Sequence, residues 1–153
     1  MLDADLRELL ALLIDHRVEF LLVGGHAVAF HGYPRFTEDV DLYVRPTPEN
    51  AQRIVAALDA FGFGSVGLTV DDFTADDRVI QLGRAPNRID LLTRLWGVEF
   101  EAAWARRSEG LLDNVPVSIL SRADLICNKR ATARPQDLAD AAALESLDAP
   151  PDF

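Results

Sequence analysis

The sequence predicts one α/β (α+β) domain, a mixed β-sheet backed by helices with a small helical extension at its C-terminal end. Three observations predict it. The 153 residues suit a single domain, since domains most often run to about 100–150 residues. The apolar share of 49% against 26% charged is that of a chain able to build a core rather than of a disordered one. Short apolar or alternating runs of strand length also recur between stretches of helical spacing. On this reading residues 1–119 form the core, 120–147 a helical extension of the same domain, and 148–153 a flexible tail.

The elements follow in order. Leu6, Leu9, Leu10, Leu13 and Ile14 recur at helical spacing with Arg7, Glu8 and Asp15 opposite, which predicts an amphipathic helix over 3–16 with Asp3 or Asp5 near its start. Val18 to Val23 is an apolar run of strand length ending at Gly24-Gly25, and Ala27 to Phe30 continue as a short helix stopped at Gly32. After Tyr33-Pro34, Val40, Leu42 and Val44 alternate with Asp39, Asp41 and Tyr43, the period-2 pattern of a strand with one polar face. Pro46 and Pro48 bracket a turn before a helix marked by Ile54, Val55, Leu58 and Phe61 and closed by Gly62. A short strand is expected over 66–70, and Asp71, Asp72, Asp76 and Asp77 then read as a solvated acidic loop. Residues 78–82 and 88–92 flank Gly-Arg-Ala-Pro-Asn like the arms of a hairpin. Residues 96–104 are expected to be helical, with Trp96, Phe100 and Trp104 in the core. A strand over 115–119 and helices over 121–131 and 135–147 complete the fold. Cys127, beside Leu125 and Ile126, is expected to be buried and inert.

Charge excludes some function classes. Fifteen basic and twenty-five acidic side chains leave a net charge of −10, which opposes loose wrapping along nucleic acid, where affinity rests on many contacts to phosphates. Lys129 is the one lysine, and only it, Arg130 and Arg134 form a compact basic group. A single cysteine allows no internal disulfide, and the first residues lack the basic flank and apolar stretch of a signal peptide. A cytoplasmic location is therefore expected. The longest apolar run, 20–30, falls far short of the roughly 20 residues that span a bilayer, so no membrane segment is expected.

Chemistry concentrates at the acidic strand. Asp39 and Asp41, two apart, project from one strand face with Cα atoms about 6.5–7 Å apart. Two carboxylates about 5 Å apart repel by about 3 kcal/mol at an effective dielectric near 20, a cost that a divalent cation cancels. Oxygen-only ligands suit Mg²⁺, which takes its remaining ligands from water and substrate phosphates. Asp90, flanked by apolar neighbours that point the other way, projects from its own strand face. If the two strands adjoin, three carboxylates converge, enough to hold ions that steady the attacking and leaving oxygens of phosphoryl transfer, and Asp90 could take the acceptor's proton. Gly24-Gly25, between a strand and a helix, lets backbone approach an anionic ligand.

Leu22-Val23-Gly24-Gly25, then thirteen residues, then Asp39-Val40-Asp41-Leu42 resembles the pattern of the nucleotidyltransferase (polymerase β-like) superfamily, with the gap at its upper limit. Gly-Gly-His-Ala, His31-Gly32-Tyr33-Pro34-Arg35, Thr37-Glu38-Asp39-Val40-Asp41 and the stretch from Lys129 through Arg134 to Asp140 resemble small bacterial nucleotidyltransferase-like proteins related to abortive-infection and toxin–antitoxin toxins. The resemblance covers nearly the whole chain. It implies a minimal nucleotidyltransferase fold and transfer of a nucleoside monophosphate from an NTP such as ATP to a hydroxyl, with Mg²⁺ or Mn²⁺ as cofactor. In that scheme Asp39, Asp41 and Asp90 are the catalytic metal ligands, Gly24 and Gly25 approach the triphosphate, and Lys129 reaches the phosphates. The acceptor is tRNA, a protein or a small molecule, and an antitoxin or a second copy of the chain is an implied partner.

Other residues keep two readings. His26 meets a phosphate or caps its turn. Arg35 grips a phosphate or neutralises the acids. Thr37 hydrogen-bonds near the metal site or starts the strand. His31 is read as a helix-end residue interacting with the dipole, and Asp137, in the first turn after Pro135, as favouring the helix dipole, with Asp140 likewise read as structural. The alternative function is a catalytically idle nucleotide-binding or scaffold protein of the same fold. A metal-dependent phosphohydrolase ranks last, because His16, His26 and His31 show no metal-binding spacing around a shared acid.

Overall fold

Asp3 starts the first helix as expected: its carboxylate accepts the Leu6 backbone N–H at 2.8 Å, and α1 runs Ala4–Asp15 with Leu6, Leu9, Leu10 and Leu13 buried along one stripe. The computed structural model describes residues 2–34, 36–62, 67–84 and 87–148. Strand β1 (Phe20–Val23), apolar throughout and fully buried, passes directly into α2 (Gly24–Phe30). Strand β2 (Val40–Val44) and helix α3 (Pro48–Phe61) follow; Thr47 caps α3, Pro48 occupies its first turn, and Gly62 closes it at φ 109°.

The sheet runs β3-β4-β2-β1-β6-β5, with β3 at Val79–Arg84, β4 at Asn87–Leu92, β5 at Ser108–Leu112 and β6 at Val115–Ile119. It is mixed. β1 pairs antiparallel with β2 and parallel with β6, while β2 pairs parallel with β4. Val40, Leu42 and Val44 of β2 and Ile89 and Leu91 of β4 fill one face of this central pair with almost no exposure, and α1 lies against β4, β6 and α3. Burying each such side chain is worth about 1.5–3 kcal/mol. Asn50 fastens α3 to the sheet: its side chain accepts from the Glu19 N–H and donates to the carbonyls of Glu19 and Arg45, so this buried polar group is satisfied.

Several expectations need correction. The segment expected as a strand over 66–70 is not one: residue 66 lies outside the described residues, 67–69 are irregular, and α4 (Val70–Thr74) begins at 70. Asp71 and Asp72 belong to that helix, and Thr69 and Asp72 form a reciprocal capping box. Helical spacing misled over 96–104, where the chain makes a turn closed by the Leu95–Val98 bridge, with Gly97 at φ 80°, before α5 (Phe100–Ala105). Phe100 is buried, but Trp96 is 51% exposed. The unpredicted β5 carries no β-branched residue; it is an edge strand held by its partner across the Asp113-Asn114 turn, both residues at positive φ, as a two-residue hairpin requires.

Helices α6 (Arg122–Thr132) and α7 (Pro135–Asp148) pack on each other. On α6 the buried positions are Asp124, Leu125, Asn128 and Lys129, a stripe that leaves Cys127 exposed and so overturns the expectation that it is buried. His31 caps the end of α2, and its Nε2 lies 2.7 Å from the Leu120 carbonyl. Among the described residues no helix is long and apolar enough to cross a membrane. The tail from 149 lies outside the described residues.

Candidate active site

Parallel pairing of β2 with β4 places Asp41 directly beside Asp90. Residues two apart on a strand share a face, so the four charges Asp39, Asp41, Arg88 and Asp90 leave the sheet together, opposite the apolar face. Their side chains meet. Arg88 Nε donates to Asp90 Oδ1 at 2.7 Å, and its Nη2 donates to Asp90 Oδ2 at 3.2 Å and to Asp39 Oδ2 at 3.0 Å. Asp39, Asp41 and Asp90 line one cleft of about 760 Å³, which Gly24, Gly25, Thr37 and Lys129 also line.

The electrostatics are those of a centre short of positive charge. Burial, then the charges of Asp90 and Asp39, push the Asp41 carboxyl up from the usual 3.8 to about 6, against the opposing pull of Lys129 and Arg88. Oδ1 of Asp39 is buried and has no hydrogen-bond partner among the described residues. Hydrogen bonding to Asp90, against some desolvation, and the charges of the three acids hold the Arg88 guanidinium more firmly protonated. Among the described residues no three His, Cys, Asp or Glu side chains are grouped as they stand to hold a metal ion; Arg88 bridges two of the three acids. The donor set still fits a hard divalent cation, since it is all carboxylate oxygen and includes an orphaned buried acceptor.

The glycine pair is explained by packing first. Gly24 adopts φ +70°, and a Cβ there would lie 2.3 Å from Asp41 Oδ2; a Cβ on Gly25 would lie 2.8 Å from the Cβ and Oγ1 of Thr37. Any side chain at 24 would thus displace the central acid. The spacing from Gly24 to Asp41 reflects this contact, because β1 and β2 are antiparallel and Val23 is paired with Asp41.

Lys129 is held by α7. Its Nζ lies 3.2 Å from Asp140 and 3.6 Å from Asp137, with the side chain only 9% exposed. Burial favours the protonated form of Asp137, but hydrogen bonds from Arg134 and Thr132 and the charges of Arg134 and Lys129 outweigh it and bring the carboxyl down to about 2. Asp137 does lie in the first turn of α7, where it also accepts the Arg134 backbone N–H at 3.2 Å. What spacing missed is that Asp137 and Asp140 converge on Lys129 across the α6–α7 contact. Ser121, capping α6, and the Arg106 fork on Asp124 fix the start of that helix.

The remaining expectations divide. Thr37 lines the cleft; His26 does not, and its partial burial lowers its pKa. Arg35 lies outside the described residues. Trp96, expected in the core, lines the cleft instead, with the Arg94 guanidinium 4.4 Å from its ring centroid and its carbonyl accepting from Asn128 of α6 at 2.9 Å. Arg88 was missed, although Arg88-Ile89-Asp90 carries the same two-residue alternation as Asp39-Val40-Asp41.

A family model described as a nucleotidyltransferase of unknown function (DUF6036) matches residues 1–148. Two solved structures share the fold. One is the solution structure of the antibiotic-resistance factor ANT(2'')-Ia, with a TM-score of 0.56 at 16% identity, covering 94% of this chain and 80% of that one. The other is the lincosamide antibiotic adenylyltransferase LnuA in its lincomycin-bound form, with a TM-score of 0.56 at 14% identity, covering 95% and 98%. No curated protein matches significantly.

Proposed function

The chain belongs to this nucleotidyltransferase family, and on that premise we propose that it moves a nucleoside monophosphate from an NTP to the hydroxyl of a small molecule, with Asp39, Asp41 and Asp90 holding Mg²⁺ or Mn²⁺. The observation that carries the reading is the Asp41–Asp90 pairing across β2 and β4, with Asp39 on the same face. When bound, the divalent ion would supply positive charge to the acids and to the triphosphate oxygens. The acceptor oxygen bonds to the α-phosphorus, the bond from that phosphorus to the bridging oxygen breaks, and pyrophosphate leaves with the electron pair. The acceptor proton goes to Asp90, once Arg88 frees one of its two oxygens. Gly24 and Gly25 line the cleft, where their backbone would approach the triphosphate. Lys129 lines the same cleft and, though paired with Asp137 and Asp140, its charge still favours the ionised form of Asp41.

Two observations favour a small acceptor over RNA or protein. The compact basic group is internally neutralised: Lys129 pairs with Asp137 and Asp140, Arg130 with Glu145, and Arg134 with Asp137. Trp96 presents a half-exposed ring in the cleft, a surface for an apolar or planar part of a small substrate. The structural neighbour LnuA is an adenylyltransferase of a lincosamide antibiotic, which accords with this class.

Labelled NTPs with Mg²⁺ and a panel of hydroxylated small molecules, tRNA and cell extract test the proposal. Label should pass to a small molecule in the wild type and fail in Asp39→Ala and Asp41→Ala. Transfer that survives both substitutions would refute the assigned site; no transfer to any acceptor would favour the idle nucleotide-binding scaffold.

A further inference from the structure

The two cations at the acidic centre are held in different ways. Lys129 is clamped by two buried carboxylates of α7 and has 9% of its side chain exposed. Arg88 is 25% exposed and, among the described residues, bonds only to the acids of the centre itself. Its Nη2 is shared between Asp39 and Asp90, so one flexible side chain neutralises two carboxylates. None of its hydrogen bonds goes to Asp41, and Asp39 Oδ1 stays buried without a partner among the described residues. One guanidinium thus compensates the trio only in part, and it occupies oxygens that a metal ion would need.

We propose that Arg88 is a built-in, displaceable cation: it holds Asp39 and Asp90 in the metal-free protein, competes with a divalent ion for their oxygens, and swings into the cleft when that ion binds. The inference rests on the reading of the three acids as metal ligands. Displacement costs the Arg88 ion pairs, so a bare divalent ion binds weakly. A triphosphate in the cleft offers the released guanidinium a new anionic partner, and metal binding therefore becomes dependent on nucleotide. Arg88 is a positioning residue, acting through the acids rather than on the reacting atoms.

The test is titration with Mn²⁺ alone, read by electron paramagnetic resonance of the free ion, on the wild type and on Arg88→Gln, Arg88→Lys and Asp39→Asn. Removing one positive charge about 5 Å from a divalent ion tightens binding by about tenfold or more even at a water-like dielectric. Arg88→Gln should therefore bind Mn²⁺ at least about tenfold more tightly than wild type, and Arg88→Lys, which keeps the charge, should stay close to wild type. Without metal Arg88→Gln should melt below wild type, and saturating Mn²⁺ should raise its melting temperature by more. Arg88→Gln that is folded by circular dichroism yet binds no more tightly than wild type, while Asp39→Asn loses binding, overturns the proposal and leaves the metal site standing. Wild-type affinity in Asp39→Asn overturns the metal reading itself, and this inference with it. Should Arg88→Gln fail to fold, Arg88→Met takes its place: Mn²⁺ binding at least about tenfold tighter than wild type supports the competition, and binding no tighter than wild type overturns it.

Discussion

Replacing Asp41 with asparagine should stabilise the metal-free protein at neutral pH, although the residue lies at the centre of the site. Burial and the charges of Asp90 and Asp39 push its carboxyl from 3.8 up to about 6. The folded state therefore binds this proton more tightly than the unfolded chain does. Between pH 3.8 and about 6 the folded state holds more protons, and raising pH across that window removes stability. At about 1.4 kcal/mol for each tenfold change in proton affinity, the loss has a ceiling of about 3 kcal/mol. Cleft water on the open side of the carboxylate screens it, so about 1–2 kcal/mol is expected. Asparagine keeps the shape and removes the charge. Urea unfolding in EDTA at pH 3.5 and pH 7.5 measures the effect: the variant and wild type should be nearly equal at the lower pH, with the variant ahead by about 1–2 kcal/mol at the higher. A variant less stable than wild type at pH 7.5, or a difference that does not change with pH, would refute the account of a centre starved of positive charge. Mn²⁺ or Mg²⁺ should reverse the order by stabilising only the wild type.

Three further outcomes follow from single contacts. Gly24→Ala should cost about 2–4 kcal/mol in urea unfolding, from positive φ plus overlap with Asp41, whereas Gly62→Ala, also at positive φ but with open space around it, should cost only about 1 kcal/mol. Ala133, the left-handed cap of α6 at φ 55°, should gain about 1 kcal/mol on replacement by glycine, raising the urea midpoint without changing the slope. Lys129→Met should cost about 3–5 kcal/mol at pH 7, because two buried carboxylates lose their shared cation. Its cost should shrink as pH falls below about 4 towards the Asp137 value of about 2, where that carboxylate takes up its proton and its stabilisation disappears in the wild type too.

Much of the sheet was legible because its determinants are local. Asp39-Val40-Asp41-Leu42 shows its alternation in four residues, and its apolar members do fill the buried face. Thr47-Pro48 and Gly62 bound α3 as cap and stop residues. Misreadings arose where local signals were ambiguous or absent. Trp96, Phe100 and Trp104 keep helical spacing, but Gly97 at φ 80° breaks the helix before it begins, and the first tryptophan turns outward. Strand β5 has little intrinsic preference for extended structure and exists because β6 offers it an open edge.

The sequence by itself determined which residues can do chemistry here: a diglycine, two acids on one strand face, a third acid on another, and a lone lysine. It also determined their strand and helix settings, since caps, glycines and alternation act over a few residues. Only the tertiary structure decided which of them meet. The parallel register set Asp41 beside Asp90, the same register brought Arg88 onto Asp39, the antiparallel β1–β2 contact explained why a Cβ at position 24 would displace Asp41, and α6–α7 packing turned Asp137 and Asp140 onto Lys129. Those partners lie up to 49 residues apart in the chain. Pairing at such range is selected by the shared burial of both strands' apolar faces, which no short window of sequence contains.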